Sequence, residues 1–242
     1  LVWLGYYVFS HRSLKGVGIK EWKSTKSKIT FISYLFNLEP EPASTGHFVS
    51  RYWADLPDMI LQEGIATNWL HLYVKGDVLP SAQKGSKIIN IFNQTGKGKQ
   101  VHTTLEAFMS WKVIRKTLIE WIGLFKIWTR IQTLDPSDLE GGFYIWPFIK
   151  MDLKESLFGQ TAMNSLLYHN LFEQALKTLS KKTRCFYLQE NQGWEFGLIQ
   201  AWKSAGNGEL IGVPHSTIRF WDLRYFFDTH GYNDNISKQL PR

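Results

Sequence analysis

The sequence predicts an α/β fold built on a parallel sheet, and three observations carry that expectation. Short β-branched and aromatic runs alternate with stretches of helical apolar spacing, first over residues 29–74 and again over residues 185–213. Each intervening segment is long enough for a helix, so a right-handed crossover between parallel neighbours follows. With 44% apolar and 20% charged residues among 242, the chain has the material for a large core, and disorder or a collagen-like fibre is excluded.

The elements follow in order. Ile29-Thr30-Phe31-Ile32-Ser33-Tyr34-Leu35-Phe36 reads as a buried strand, followed by a loop at Glu39-Pro40-Glu41-Pro42. Ser50 is placed to cap a helix over residues 51–63, which aligns Trp53, Leu56, Ile60 and Leu61 and stops at Gly64. Residues 67–74 form a second strand, with Asn68, Trp69 and His71 assigned to its end. Flanking leucines make His71 a core histidine. A short helix over 80–94 precedes a turn at Gly96-Lys97-Gly98-Lys99. Thr103 and Glu106 have capping-box spacing, which predicts a long helix to residue 133, broken by Asp135-Pro136-Ser137-Asp138. Another helix covers 159–179. Cys185-Phe186-Tyr187-Leu188 is a strand, residues 194–205 are a helix closed by Gly206-Asn207-Gly208, and Leu210-Ile211-Gly212-Val213 is the last strand.

The net charge of +7 is unevenly placed. Residues 1–30 hold six bases against Glu21, a balance of +5, and residues 82–101 add four lysines and no acid. Such segments hold phosphates or anionic lipid headgroups, or are simply solvated loop faces. No zinc-finger spacing or RNA-recognition signature accompanies them, so no nucleic acid partner is expected. The one cysteine, Cys185, can form neither an internal disulfide nor a Cys-rich zinc site, which agrees with a reducing compartment. No run reaches the roughly 18 apolar residues of a spanning helix. The chain opens without Met and stops at Leu240-Pro241-Arg242, so a fragment cut at both ends is expected.

Chemistry concentrates near the end. Glu190 lies just past one predicted strand and His215 just past the next, one helix later. Parallel neighbours are about 4.8 Å apart, so both groups overhang one rim, where open α/β sheets bind ligands. The helix between them begins near Gly193-Trp194, and its free N–H groups favour an anion. Arg219 and Arg224 add positive charge within a short span. A sugar–phosphate leaving group needs such partners, and a carboxylate can serve as base or nucleophile. In the structural alternative, Glu195 faces the first helical turn, Asp222 pairs with an arginine and His215 donates to a loop carbonyl.

Other chemistries lack their motifs. There is no P-loop, no complete Gly-x-Gly-x-x-Gly, no Gly-x-Ser-x-Gly, no Asp-x-Asp and no His-x-x-x-His. Neither a metal site nor a cofactor is expected; a nucleotide sugar enters as substrate.

Four runs resemble a bacterial family of surface carbohydrate biosynthesis proteins from capsule and lipopolysaccharide loci. They are Phe48-Val49-Ser50-Arg51-Tyr52-Trp53-Ala54-Asp55-Leu56, Asn68-Trp69-Leu70-His71, Glu190-Asn191-Gln192-Gly193-Trp194-Glu195 and His215-Ser216-Thr217-Ile218-Arg219-Phe220-Trp221-Asp222-Leu223-Arg224-Tyr225. The likeness covers about residues 29–230. The strand-end Glu, the Trp-Glu helix start and the later Gly-x-x-His are also similar to two-lobed, GT-B-type glycosyltransferases, some of which use CMP-activated ulosonic acids with a His at the nucleotide phosphate. The resemblance implies Rossmann-like lobes: a basic segment over 1–28, an N-terminal lobe over 29–150 with the long helix, and over 151–242 the start of a truncated nucleotide-binding lobe. It implies a glycosyltransferase at the cytoplasmic face of the bacterial inner membrane, with Glu190 and His215 catalytic. Asn68, Asn191, Gln192, Glu195, Ser216, Arg219 and Arg224 would bind substrate. The rival reading is a non-catalytic module that binds glycan or an anionic membrane through its aromatics and basic segment.

Overall fold

The computed structural model describes residues 1–131, 146–181, 183–214 and 216. Five strands, β1 (Ile29–Tyr34), β2 (Thr67–Leu72), β3 (Gln100–Thr104), β4 (Arg184–Gln189) and β5 (Leu210–Pro214), form one sheet in the order β3-β2-β1-β4-β5. Every pairing is parallel, with Ile32 opposite Leu70 on one side and Tyr187 on the other. The α/β class is therefore the observed one. The sheet runs across the boundary expected near residue 150, because β1 pairs with β4 over four residues and with β2 over five.

Helices cover both faces. β1 leads to β2 through α3 (Pro40–Ser44) and α4 (Leu56–Gln62), and β2 to β3 through α5 (Ala82–Gly96). The return to β4 uses α6 (Trp111–Ile131), α7 (Trp146–Leu157) and α8 (Gln160–Leu176), and α9 (Gly193–Ala205) joins β4 to β5. Before the sheet come α1 (Val2–Ser10) and α2 (Ile19–Ser24). Side chains alternate across a strand, and here alternate residues enter different cores. Phe31 and Trp69 pack with Ile89 and Phe92 of α5, whereas Ile32, Leu70 and Tyr187 pack with Leu167, Leu171 and Leu198 of α8 and α9. Aromatic stacking runs across the first face, with Phe31 and Trp69 centroids 4.3 Å apart.

Three expectations change. Residues 100–104 are a strand, not the first turn of a helix: Thr103 donates its hydroxyl to the Val17 carbonyl at 2.7 Å, and α6 starts only at Trp111. The outer edge of β3 is closed by Asn93, whose amide accepts from the His102 N–H at 2.7 Å and donates to its carbonyl at 2.8 Å. This occupies backbone groups that would otherwise offer an edge to another chain. The helix expected from residue 51 begins at Leu56 instead. Ser50 bridges to Leu38 and Ala54, and Ala54 takes a positive φ of 43°, which ends any helix there. Pro57 occupies the first turn of α4, where a missing N–H costs nothing. Finally, Pro40 and Pro42 lie in the short helix α3 rather than in a loop. Among the described residues no helix is long and apolar enough to cross a membrane.

Candidate functional site

The chain order reverses between β1 and β4: β2 and β3 are added on one side of β1, and β4 and β5 on the other. At such a switch point the loops leaving adjacent strands diverge and open a crevice at the carboxyl edge. β1 delivers Tyr34 there. β4 delivers Gln189, then Glu190, Asn191 and Gln192 before α9 begins at Gly193. Gln189 stands opposite Pro214, so β4 and β5 run side by side in one direction, as the sequence led us to expect.

The loop after β4 is held from below. The Glu195 Oε1 atom accepts the Glu190 N–H at 2.9 Å and the Gln192 N–H at 2.7 Å, and Asn191 sits between them at φ 56°. Glu195 is fully buried. Burial raises its carboxyl pKa, and the nearby Glu190 charge adds to the rise, against the backbone N–H groups that favour the anion. Trp194 ties this loop to β1 by donating its indole N–H to the Tyr34 hydroxyl at 2.8 Å. Glu190 itself is half-buried, and Tyr52 donates to its Oε1 at 3.5 Å. Tyr34 has its pKa pushed up to about 12, chiefly by burial, with the Glu190 charge contributing. The result is a carboxylate flanked by two phenols on a fixed loop, beside the start of a thirteen-residue helix.

The sequence-predicted residues separate accordingly. Glu190, Asn191 and Gln192 come together at the rim; Gln192 is exposed and Asn191 half-buried, its side-chain N–H₂ buried with no acceptor. Glu195 is corrected from ligand to support, since its one bonded oxygen faces the loop backbone and neither oxygen reaches solvent. Asn68 is corrected more sharply. It opens β2 rather than ending it, so it lies at the amino edge, fully buried, accepting from Thr25 at 2.7 Å and donating to Thr30 at 3.4 Å. Ser216 is exposed. His215, Arg219 and Arg224 lie outside the described residues. His71 is a core residue as expected, bonded to His102 Nδ1 through its Nε2 at 3.0 Å.

Sequence reasoning missed Glu106. It follows β3 by two residues, much as Glu190 follows β4, and it is fully buried at the same carboxyl edge. Tyr7 of α1 donates to its Oε1 at 3.0 Å. Burial raises the carboxyl pKa to about 7, against the opposing pull of its own backbone, the Tyr7 hydroxyl and the Tyr73 N–H. Tyr168 of α8 feels the charges of Glu106 and of Tyr34, and burial followed by those charges raises its pKa. Phenols thus stand between the two carboxyls along the rim. The signal was present in the similar spacing of both glutamates from their strands, but reading 103–106 as a helix start concealed it.

Among the described residues no group of three or more His, Cys, Asp or Glu side chains is placed to hold a metal ion. The fold and rim define an α/β protein with a parallel, doubly wound sheet and a carboxylate at its switch point. Comparison with protein-family models, with curated proteins and with solved structures finds no match.

Proposed function

We propose that the chain is a glycosyltransferase of bacterial surface polysaccharide biosynthesis, which transfers a sugar from a nucleotide-activated donor of the CMP-ulosonic acid kind to a glycan acceptor on the cytoplasmic side of the membrane. The observation that carries the reading is Glu190, half-buried at the carboxyl edge where the sheet reverses, with Tyr52 on its carboxylate. The four resembling sequence runs supply the substrate class. In this reading Glu190 takes the proton of an acceptor hydroxyl while that oxygen bonds the anomeric carbon. The bond from that carbon to the phosphate oxygen breaks, and the nucleotide leaves as a monophosphate. Asn191 and Gln192 hold the donor against the start of α9, and His215 meets the leaving phosphate. The nucleotide sugar is substrate, and no resident cofactor is invoked.

The test is nucleotide release by the full chain with CMP-, UDP- and GDP-linked sugars. General-base removal costs about 10²–10⁴ in rate, so Glu190→Gln should lower turnover by at least about a hundredfold. Undiminished turnover in both Glu190→Gln and His215→Ala would remove the assignment. Glycan binding with no nucleotide affinity would favour the non-catalytic module.

A further inference from the structure

We propose that α1 and the start of α6 form a face that docks on an anionic lipid bilayer, whether or not the rim is catalytic. α1 has no charged side chain, and it is apolar on two sides. Leu4 and Tyr7 point into the core, 4% and 8% exposed, while Val2, Tyr6 and Phe9 share the opposite stripe at 89%, 71% and 64%. A helix apolar all round needs cover on both faces, and this one has it on one. Trp111, the first residue of α6, is 74% exposed. The end of α1 and the start of α6 meet across a groove of about 260 Å³ lined by Val8, Arg12, Lys15 and Trp111 among others.

Charge identifies the occupant. Arg12 lies over the Phe9 ring at 4.0 Å and donates to the Phe9 carbonyl at 3.0 Å, so a cation rims the apolar stripe. A second groove of about 370 Å³ shares Lys15 with the first and adds Lys23 and Lys177, the last also near Glu173 at 3.7 Å. Neither groove has an acidic lining residue among the described residues. Lys112 and Arg115, one and four residues past Trp111, are exposed as well. Exposed aromatics set among cations are the pattern of a segment lying in a membrane interface, with rings at the acyl boundary and cations at the phosphates. A protein partner of ordinary composition would not need two adjoining grooves lined by four cations, Arg12, Lys15, Lys23 and Lys177, and by no acid.

The experiment is sedimentation of the full chain with vesicles of neutral phosphatidylcholine, alone or with about a third phosphatidylglycerol. We expect binding to the anionic vesicles only, falling at least about tenfold between about 0.1 M and about 0.5 M salt. Tyr6→Ser with Phe9→Ser, and separately Arg12→Gln with Lys15→Gln, should each lower the bound-to-free ratio about tenfold or more. The thermal unfolding midpoint should hold, because these side chains are exposed. Equal binding to neutral vesicles, unchanged binding by both variants or no binding at low salt would overturn the proposal. So would a dimer in sedimentation velocity that Phe9→Ser dissolves, which would assign the face to a second copy of the chain.

Discussion

Replacing Glu106 by glutamine isolates one buried proton. The carboxyl titrates near its ordinary value of 4.5 in the unfolded chain and at about 7 in the fold. The folded state therefore holds the proton more tightly, so the group's contribution is fully present below pH 4.5 and is lost as pH rises toward 7. Integrating between about pH 5 and pH 8, wild type should lose about 2–3 kcal/mol from this site alone. The amide of the Glu106→Gln variant would keep an acceptor for the Tyr7 hydroxyl, now 3.0 Å from Oε1, but has nothing to titrate. Other groups also change protonation over this range, so the informative quantity is the difference between the two proteins. In urea unfolding, Glu106→Gln should be less stable than or equal to wild type at about pH 5 and relatively better by about 2–3 kcal/mol at about pH 8. Parallel stability profiles would refute the reasoning, because they would mean the carboxyl is not held in low dielectric at the end of β3.

The buried histidines predict the opposite sign. Burial lowers the His71 pKa from 6.5 to about 3, and burial with the neighbouring His71 charge holds His102 well below its ordinary value, so neutral rings contribute stability above pH 6.5 that is lost on acidification. Denaturant titrations should show His71→Gln with a flatter acid limb than wild type, by up to about 1.4 kcal/mol per pH unit, and with lower stability at neutral pH; an unchanged limb would count against this. Gly18 caps α2 at φ +68°, and a Cβ there would run into the carbonyl oxygen of His102. Gly18→Ala should cost about 2–4 kcal/mol by urea unfolding, whereas a cost under about 0.5 kcal/mol would show that α2 is not docked on β3.

How much was legible follows from which side chains a strand buries. β1, β4 and β5 were readable because their runs are apolar or aromatic, and α9 because Gly206 closes it in the left-handed conformation at φ +64°. β3 was not, since its Gln100, His102, Thr103 and Thr104 are buried polar residues whose partners are distant in sequence: His71, Val17 and Asn93. Periodicity counts hydrophobicity and does not register satisfied polar groups. The position of Glu190 could be read because a strand's end fixes which edge its next residue reaches. The same logic failed for Asn68 once the strand's first residues were taken for its last. Glu195 illustrates a different limit: a glutamate at the third position of a helix serves equally as ligand or as clamp, and only burial separates the two.

Hydrogen–deuterium exchange of the full chain, with and without a nucleotide sugar that it turns over, tests the central claim most directly. Slowed exchange should concentrate at the ends of β1 and β4, at residues 34–37 and 188–195, as the ligand covers the rim. Protection confined to the opposite edge, around residues 27–29 and 66–68, would contradict the account.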